Sequence, residues 1–309
     1  MTGKTVVIGI PTFRRPDGLR RLLQSLAGLN TRRAPIIVVA DNEGADGDGS
    51  RVAAETALAD YRFDLRAIPV PARGIANARN ALMDEAFDRI GADLVAMVDD
   101  DEIVEPGWLD ALVDMAARTG ADIVGGEVRP KFEVIAPPWT DGVWLYRRKV
   151  PPPGPTDSLF GTGNILLARS LLDKASGCRF DRNFLAGEDT EFLFRVRSQG
   201  ATLAFAPDAV SHEFLGPSRL TRRWAVQRAF RFGNGHIAIL RAHRLPARQW
   251  AVTAVRALGG VVVGLLLTPL IVTGGRRSMG GALMLAQQAG KVWGLLGGSY
   301  NEYRRIHGS

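Results

Sequence analysis

Apolar and polar residues alternate in blocks along the first two thirds of the chain, and these blocks predict strands and helices in turn. Helical spacing is clearest after Pro16, where one apolar stripe is formed by Leu19, Leu22, Leu23 and Leu26. Further helices are predicted at residues 75–90, 106–119 and 188–199. Short β-branched and aliphatic runs predict strands at residues 5–10, 35–40, 65–70, 93–98, 121–128 and 201–206.

This alternation predicts an α/β fold in which a mostly parallel sheet is flanked by helices on both faces. Ligands of such sheets bind at the carboxyl ends of the strands. Asp41 and the acidic run that starts at Asp99 both follow predicted strands. We therefore expect the two in one cleft. The glycine-rich segment 41–50 and the segment 129–157, which is rich in proline and tryptophan, are predicted to be loops.

The C-terminal third differs from the rest of the chain in charge and hydropathy. Residues 1–212 contain 25 Lys and Arg against 30 Asp and Glu, a net charge of −5, whereas residues 213–309 contain 14 against 2, a net charge of +12. Residues 257–275 include no charged side chain and are long enough to cross a bilayer. Arginines on both sides fit a re-entrant hairpin or surface-lying helices better than one clean span, although a span stays open.

We accordingly predict a catalytic domain at residues 1–220 and a basic, helical, membrane-associated region at residues 221–309. Cys178 is the single cysteine, which excludes an internal disulfide. The N-terminal segment lacks the cleavage site of a signal peptide. Both features indicate that the catalytic part stays in the cytoplasm.

The strongest local signal is a strand that ends in three consecutive carboxylates, Asp99, Asp100 and Asp101. Three such charges repel one another strongly unless a cation holds them. Carboxylate oxygens suit Mg²⁺ or Mn²⁺, which in turn bind the phosphates of a nucleotide. The alternative is an acidic loop that caps the helix beginning near Pro106.

Several segments, taken in order, resemble glycosyltransferase family 2, the inverting transferases with the GT-A fold. They are IPTFRR at the end of the first strand, VVADN, RGIANARNAL, the DDD run, GTGN at residues 161–164 and GEDTEFLFRV. The resemblance extends to about His212 and is strongest to bacterial members that build exopolysaccharide or other surface glycans. It implies an enzyme that uses a nucleotide-sugar donor and Mg²⁺ or Mn²⁺.

The resemblance also implies roles for individual residues. Asp99 would contact the ribose or the metal, Asp101 would be the principal metal ligand and His212 a late one. Asp189 would be the base that deprotonates the acceptor hydroxyl, with Glu188 as its rival. Residues that would surround the nucleotide and its diphosphate are Pro11, Thr12, Arg14, Asp41, Arg73, Gly74 and Arg79.

Processive synthases of this family have a Gln-x-x-Arg-Trp motif after the base, whereas this chain has only QRAFRF at residues 227–232. Transfer of a single sugar is therefore predicted. The resemblance implies a UDP-sugar as donor, and the basic, apolar tail favours a lipid-linked glycan acceptor at the cytoplasmic face of the inner membrane. Two alternatives stay open at this stage. One is a nucleotidyltransferase, and the other is a non-enzymatic protein whose basic tail binds membranes or nucleic acid. The acidic cleft argues against nucleic acid as a partner.

Overall fold

The computed structural model describes residues 3–147, 150–184, 187–244, 246–269 and 279–298. The chain forms two compact units. The first comprises Met1–Arg129, Val150–Phe184 and Glu188–Glu213, and the second comprises Pro130–Lys149, Leu185–Gly187 and Phe214–Ser309. The division at residue 220 stays a prediction about folding domains.

A nine-stranded sheet organises the first unit. Its order is β3-β2-β1-β4-β8-β6-β9-β5, and β7 pairs with β9. Strands β1 to β4 pair in parallel, whereas the described pairs that involve β5 to β9 are antiparallel. The strands are β1 (Val6–Thr12), β2 (Ile36–Asp41), β3 (Leu65–Pro69), β4 (Leu94–Val98), β5 (Glu102–Val104), β6 (Ile123–Phe132), β7 (Gly154–Thr156), β8 (Asn164–Ala168) and β9 (Leu203–Leu215).

The predicted α/β class is confirmed, but the sheet is mixed rather than mostly parallel. Strand β8 lies between β4 and β6 and runs antiparallel to both. The parallel pairing of β3, β2, β1 and β4 therefore ends at β8. The sequence predicts a strand at residues 201–206, whereas β9 continues nine residues further, to Leu215, and pairs with β5 as far as Glu213.

Helices cover both faces of this sheet. They are α1 (Pro16–Ala27), α2 (Asp48–Leu58), α3 (Ile75–Met83), α4 (Trp108–Thr119), α5 (Ser170–Lys174) and α6 (Glu188–Ser198). The predicted helix at residues 75–90 changes after Met83 into π-helical turns that end at Gly91, whose φ of 76° suits glycine. Helix α2 begins within the predicted loop at residues 41–50, which is a correction to the sequence interpretation.

Alternate residues of β1 enter two separate cores. Ile8 and Ile10 pack in one core with the apolar stripe of α1, whereas Val7 packs in the other with Leu82 of α3. All four side chains are fully buried. This alternation is what a sheet covered on both faces requires, and it leaves the carboxyl ends of the parallel strands as the edge at which polar side chains collect.

Three helices dominate the second unit: α7 (Arg222–Ala242), α8 (Ala247–Leu267) and α9 (Gly280–Leu295). Glycines bring their backbones into contact, since a Cβ at Gly233 would lie 1.9 Å from the Gln287 carbonyl oxygen and one at Gly290 would lie 2.0 Å from that of Phe230. By length and composition α8 suffices to cross a membrane, and no other helix among the described residues does. The uncharged segment predicted at 257–275 lies outside the described residues from position 270 onwards.

Candidate active site

Three carboxylates converge where β4 ends and β5 begins. Asp99, Asp101 and Glu102 each offer an oxygen, and the three oxygens lie within 4.8 Å of one another. Burial, followed by the charge of Asp99, raises the pKa of Glu102 well above its usual range. Within the described part of the chain, Glu102 Oε2 has no hydrogen-bond partner. Three carboxylates, one of which has a buried oxygen without a hydrogen-bond partner among the described residues, are suitable ligands for Mg²⁺ or Mn²⁺.

The middle carboxylate of the run faces a different set of partners. Asp100 accepts a hydrogen bond from Thr12 Oγ1 at 2.8 Å and one from Arg15 Nη1 at 3.1 Å. The same Arg15 nitrogen lies 2.9 Å from Asp101 Oδ2. Burial raises the pKa of Asp100 to about 7 despite the opposing effect of Arg15. Thr12, at the end of β1, and Arg15, directly before α1, therefore both hold the acidic run, and Arg15 offsets part of its charge.

The GTGN segment closes over this cluster. A Cβ at Gly163 would lie 2.7 Å from Glu102 Oε1 and 2.8 Å from Asp99 Oδ2, so a side chain there would displace the carboxylates. Asn164, the last residue of the segment, holds it in place through hydrogen bonds. Its Oδ1 accepts a hydrogen bond from Trp108 Nε1 at 2.8 Å, and its Nδ2 donates one to the Ala209 carbonyl oxygen at 2.9 Å. The motif is thus explained by close packing against the acidic cluster.

Arg79 connects the acidic cluster to helix α6. Its Nη1 donates to Glu188 Oε1 at 2.8 Å and its Nη2 donates to Asp99 Oδ1 at 3.0 Å. The guanidinium is buried, yet the charges of Asp99, Glu188 and Asp189 hold the pKa of Arg79 above its usual range against the cost of burial. Residues 20 and 109 positions away from Arg79 are thereby brought into one network.

The two predicted base candidates differ in their surroundings. Glu188 is buried and ion-paired with Arg79. Asp189 is half-buried, and its Oδ1 accepts a hydrogen bond from the Thr190 amide at 2.7 Å. Its other oxygen faces the GTGN segment, since a Cβ at Gly161 would lie 3.3 Å from Asp189 Oδ2. Asp189 is therefore the more accessible carboxylate of the pair.

Several residues that the sequence predicts around the nucleotide lie at the ends of β1 and β2. Pro11 and Thr12 are the last residues of β1, beside Ala40 and Asp41 of β2. Asp41 is fully buried, and its carboxylate accepts from the amides of Glu43 at 3.0 Å and Ser50 at 2.6 Å. Both of its oxygens thus hold the turn into α2, so recognition of a base by Asp41 stays a prediction.

Two arginines that the sequence predicts near the nucleotide flank the ring of Phe13, which follows β1. The guanidinium carbons of Arg14 and Arg73 lie 5.2 Å and 5.3 Å from the ring centre of Phe13. Arg14 also pairs with Glu43 at 2.7 Å. Gly74 follows with a φ of 121°, and its amide donates to Asn42 Oδ1 at 2.8 Å. The arrangement places two cations around Phe13, directly after the end of β1.

His212 is not brought into the carboxylate cluster. It lies within β9 opposite Ile103, and its Nε2 is 2.9 Å from Glu105 Oε1. The neighbouring pair, Glu102 and Glu213, has side chains on the other face of the sheet because adjacent residues of a strand alternate. Metal ligation by His212 therefore has no support from its position.

Sequence reasoning missed two residues of the site. Glu102 directly follows the DDD run, and a carboxylate that opens the next strand was the available signal. Arg15 follows Arg14, and nothing in the sequence alone distinguishes which of two adjacent arginines turns towards the acidic run. The structure assigns that contact to Arg15.

The sequence of this chain matches a known family and a relative of similar length. The family model described as glycosyl transferase family 2 matches residues 7–174. The succinoglycan biosynthesis protein ExoM of Rhizobium meliloti (strain 1021) is 34% identical over 302 residues, which cover 94% of this chain and 92% of that protein.

Two solved structures share the fold. The mannosyltransferase PcManGT from Pyrobaculum calidifontis, solved in complex with GDP-Man and Mn²⁺, matches with a TM-score of 0.65 and 17% identity over 96% of this chain and 88% of its own. The S. aureus TarS 1-349 structure in complex with UDP matches with a TM-score of 0.51 and 13% identity over 96% and 93%.

Proposed function

Because the chain belongs to glycosyl transferase family 2, we propose that it transfers a single sugar from a nucleotide diphosphate sugar to a lipid-linked glycan, with inversion and with a divalent metal. The observation that carries this proposal is the convergence of Asp99, Asp101 and Glu102 next to the Arg79-linked pair Glu188 and Asp189. One side of the site suits a diphosphate and the other suits an acceptor hydroxyl.

At the donor side, Asp99, Asp101 and Glu102 would hold Mg²⁺ or Mn²⁺. Such a cation, when bound, neutralises the charge that develops on the leaving diphosphate. Arg79 keeps Asp99 in place through a 3.0 Å hydrogen bond. Arg15 does the same for Asp101, so the two ligands are oriented by separate arginines before a donor arrives.

The nucleoside would lie over the ends of β1 and β2. Pro11, Thr12 and Asp41 would border its base and ribose, and Arg14, Arg73 and the Gly74 backbone would face its phosphates. Solved relatives bind GDP-Man in one case and UDP in another, which supports a nucleotide sugar as donor. UDP is our proposal for this chain.

At the acceptor side, Asp189 would accept the proton of the attacking hydroxyl. A base needs access to the substrate, and Asp189 is half-exposed whereas Glu188 is buried against Arg79. Glu188 instead positions Arg79. This division of roles, in which one carboxylate orients and its neighbour reacts, follows from their different hydrogen bonds.

The acceptor would lie at a membrane. Helix α8 is largely exposed although it consists mostly of apolar residues, and the segment around it is strongly basic. The similar ExoM protein takes part in succinoglycan biosynthesis, which supports a role in bacterial polysaccharide assembly. We place the enzyme at the cytoplasmic face of the inner membrane.

The proposal is tested by incubating the purified chain in mild detergent with UDP-, GDP- and dTDP-sugars and either Mg²⁺ or Mn²⁺. Donor hydrolysis, transfer to an isoprenoid-diphosphate glycan and the anomeric configuration of the product are followed. Asp208→Asn is the matched control for Asp189→Asn, because Asp208 is an exposed carboxylate on β9. Absence of hydrolysis and transfer with every donor would refute the proposal, and retention of configuration would refute the inverting mechanism.

A further inference from the structure

The C-terminal segment that contains the three helices of the second unit is strongly basic. Residues 214–301 contain 12 Lys and Arg but no Asp or Glu. Cations in this segment therefore have no carboxylate of the same segment with which to pair. Where the fold brings several of them together, the local field attracts an anion.

Helix packing brings one cation of α8 level with one of α9. A Cβ at Gly264 would lie 2.8 Å from the Leu285 amide nitrogen, and one at Gly260 would lie 2.6 Å from Gln288 Cγ, so the two helices run antiparallel. Arg256 lies one turn before Gly260, and Lys291 lies nearly one turn after Gln288. The register thus places Arg256 beside Lys291.

Helix α7 adds a third titratable side chain. The Lys291 amide nitrogen would lie 3.0 Å from a Cβ at Gly233, and His236 follows Gly233 by three residues on the same helix. Burial, followed by the charge of Arg256, lowers the pKa of Lys291. Partial burial, followed by the charge of Lys291, lowers the pKa of His236. Both directions agree with Lys291 lying near Arg256 and near His236.

None of the three side chains forms an ion pair with a carboxylate among the residues that the structure describes. All of them keep contact with solvent, since Arg256 and His236 are exposed and Lys291 is half-buried. Arg256 and Lys291 therefore form an accessible pair of like charges that repel, and the His236 imidazole beside Lys291 offers a hydrogen-bonding group. An anion bound there would relieve that repulsion.

Apolar side chains surround this cluster. Val255, directly before Arg256, is 70% exposed, and Leu258, two residues after Arg256, is 61% exposed. On α9, Trp293 is 51% exposed two residues beyond Lys291. A free inorganic anion gains nothing from such neighbours, whereas a lipid places its charged headgroup and its acyl chains side by side.

We propose that His236, Arg256 and Lys291 form a binding site for the phosphate group of an anionic phospholipid, whose acyl chains lie along the exposed apolar residues of α8. The inference rests on the membrane association in the proposed function. It deepens that function by assigning a specific headgroup contact. The cluster thereby sets where along α8 the headgroup layer lies.

The test measures binding of the full chain to vesicles at constant ionic strength. Three compositions are compared: phosphatidylcholine alone, phosphatidylcholine with phosphatidylglycerol, and phosphatidylcholine with oleate at the same surface charge. Arg256→Gln and Lys291→Gln remove one charge each from the cluster. Arg248→Gln removes the same charge from the exposed first turn of α8 and is the matched control.

The wild type should bind phosphatidylglycerol vesicles more tightly than oleate vesicles. The Arg248→Gln control should lose about fivefold on both, as one cation near an anionic surface does. The double variant Arg256→Gln/Lys291→Gln should bind phosphatidylglycerol vesicles more than about tenfold more weakly than the wild type, and no better than it binds oleate vesicles. Lys291→Arg should retain the preference for phosphatidylglycerol. Inorganic phosphate alone should give no saturable binding.

The proposed lipid site would be refuted if the double variant lost the same affinity for phosphatidylglycerol and oleate vesicles. Saturable binding of inorganic phosphate, or a wild type that binds no vesicle, would also refute it. Donor hydrolysis is measured on the same preparations. Retained hydrolysis in the variants shows that the catalytic unit is folded. If the wild type hydrolysed no donor, the transferase proposal would be refuted but the lipid site would not. Failure of the transferase proposal and failure of the lipid site are therefore distinguishable.

Discussion

Arg79 and Glu188 form a buried ion pair with an Nη1–Oε1 distance of 2.8 Å. The pair joins α3 to α6, and Arg79 also holds Asp99 at the end of β4. A single guanidinium therefore links the metal side of the site to the helix that carries the proposed base. Its position explains why Glu188 and Asp189, adjacent in sequence, have different roles.

Glu188→Gln should reduce the free energy of unfolding by about 2 kcal/mol, because the buried Arg79 loses one of its charged partners. Chemical denaturation monitored by circular dichroism measures this change. Asp17→Asn is the control, since Asp17 is 90% exposed in its pair with Arg20, and that change should cost less than about 1 kcal/mol. Equal effects of the two substitutions would contradict the structural role of Glu188.

Asp189→Asn should lower kcat for transfer by roughly 10²- to 10⁴-fold while donor affinity changes little, because the carboxylate acts on the acceptor hydroxyl. Steady-state kinetics with varied acceptor, together with donor titration by calorimetry, separate the two quantities. Asp208→Asn should keep wild-type kcat. A weakened donor affinity with unchanged kcat would assign Asp189 to donor binding instead.

Much of this site follows from local sequence patterns, but the contacts between segments do not. Periodicity identified β4 and the acidic run at its end, since a buried strand and its polar terminus are local features. The contact of Arg79 with Glu188 depends on how α3 and α6 pack across 109 positions, which no local pattern encodes. Parallel pairing was overestimated for the same reason, because the insertion of β8 between β4 and β6 is decided by the whole sheet.

His212 illustrates the same point in detail. The sequence placed it after a strand and a turn, whereas β9 runs through it to Leu215. In a strand, a shift of one residue moves a side chain to the opposite face. His212 therefore meets Glu105, and its neighbour Glu213 shares a face with Glu102.

Asp122 should stabilise the fold in a pH-dependent way. Burial opposes its ionisation, but hydrogen bonds from Lys174, Thr202 and Ser170 outweigh burial and lower the pKa of Asp122 to about 2. Because the folded pKa lies below the unfolded value, the contribution is present above about pH 4 and is lost as the pH falls towards 2. Asp122→Asn should cost about 2 kcal/mol at pH 7 and progressively less in acid.

Denaturation of the wild type and Asp122→Asn at several pH values checks this expectation. Asp173→Asn provides a comparison within α5, the helix that also contains Ser170 and Lys174. A difference between wild type and Asp122→Asn that stays constant from pH 7 to pH 3 would contradict the assigned linkage.

Cys178 should resist alkylation in the folded protein. It is 4% exposed, and burial raises the pKa of its thiol to about 11, so little thiolate is present at neutral pH. Iodoacetamide labelling followed by mass spectrometry should be slow in buffer and complete in denaturant. Labelling at the rate of a free thiol in the native protein would contradict the packing of this core.

Calorimetric titration of UDP and UDP-sugars with and without Mn²⁺ tests whether Asp99, Asp101 and Glu102 hold the metal that binds the donor diphosphate. The wild type and Asp208→Asn should bind the donor only when Mn²⁺ is present, and Asp101→Asn should bind it at least about tenfold more weakly, the equivalent of about 1.4 kcal/mol. Equal donor affinity in the presence of a chelator, or unchanged Mn²⁺-dependent affinity in Asp101→Asn, would contradict this role of the three carboxylates.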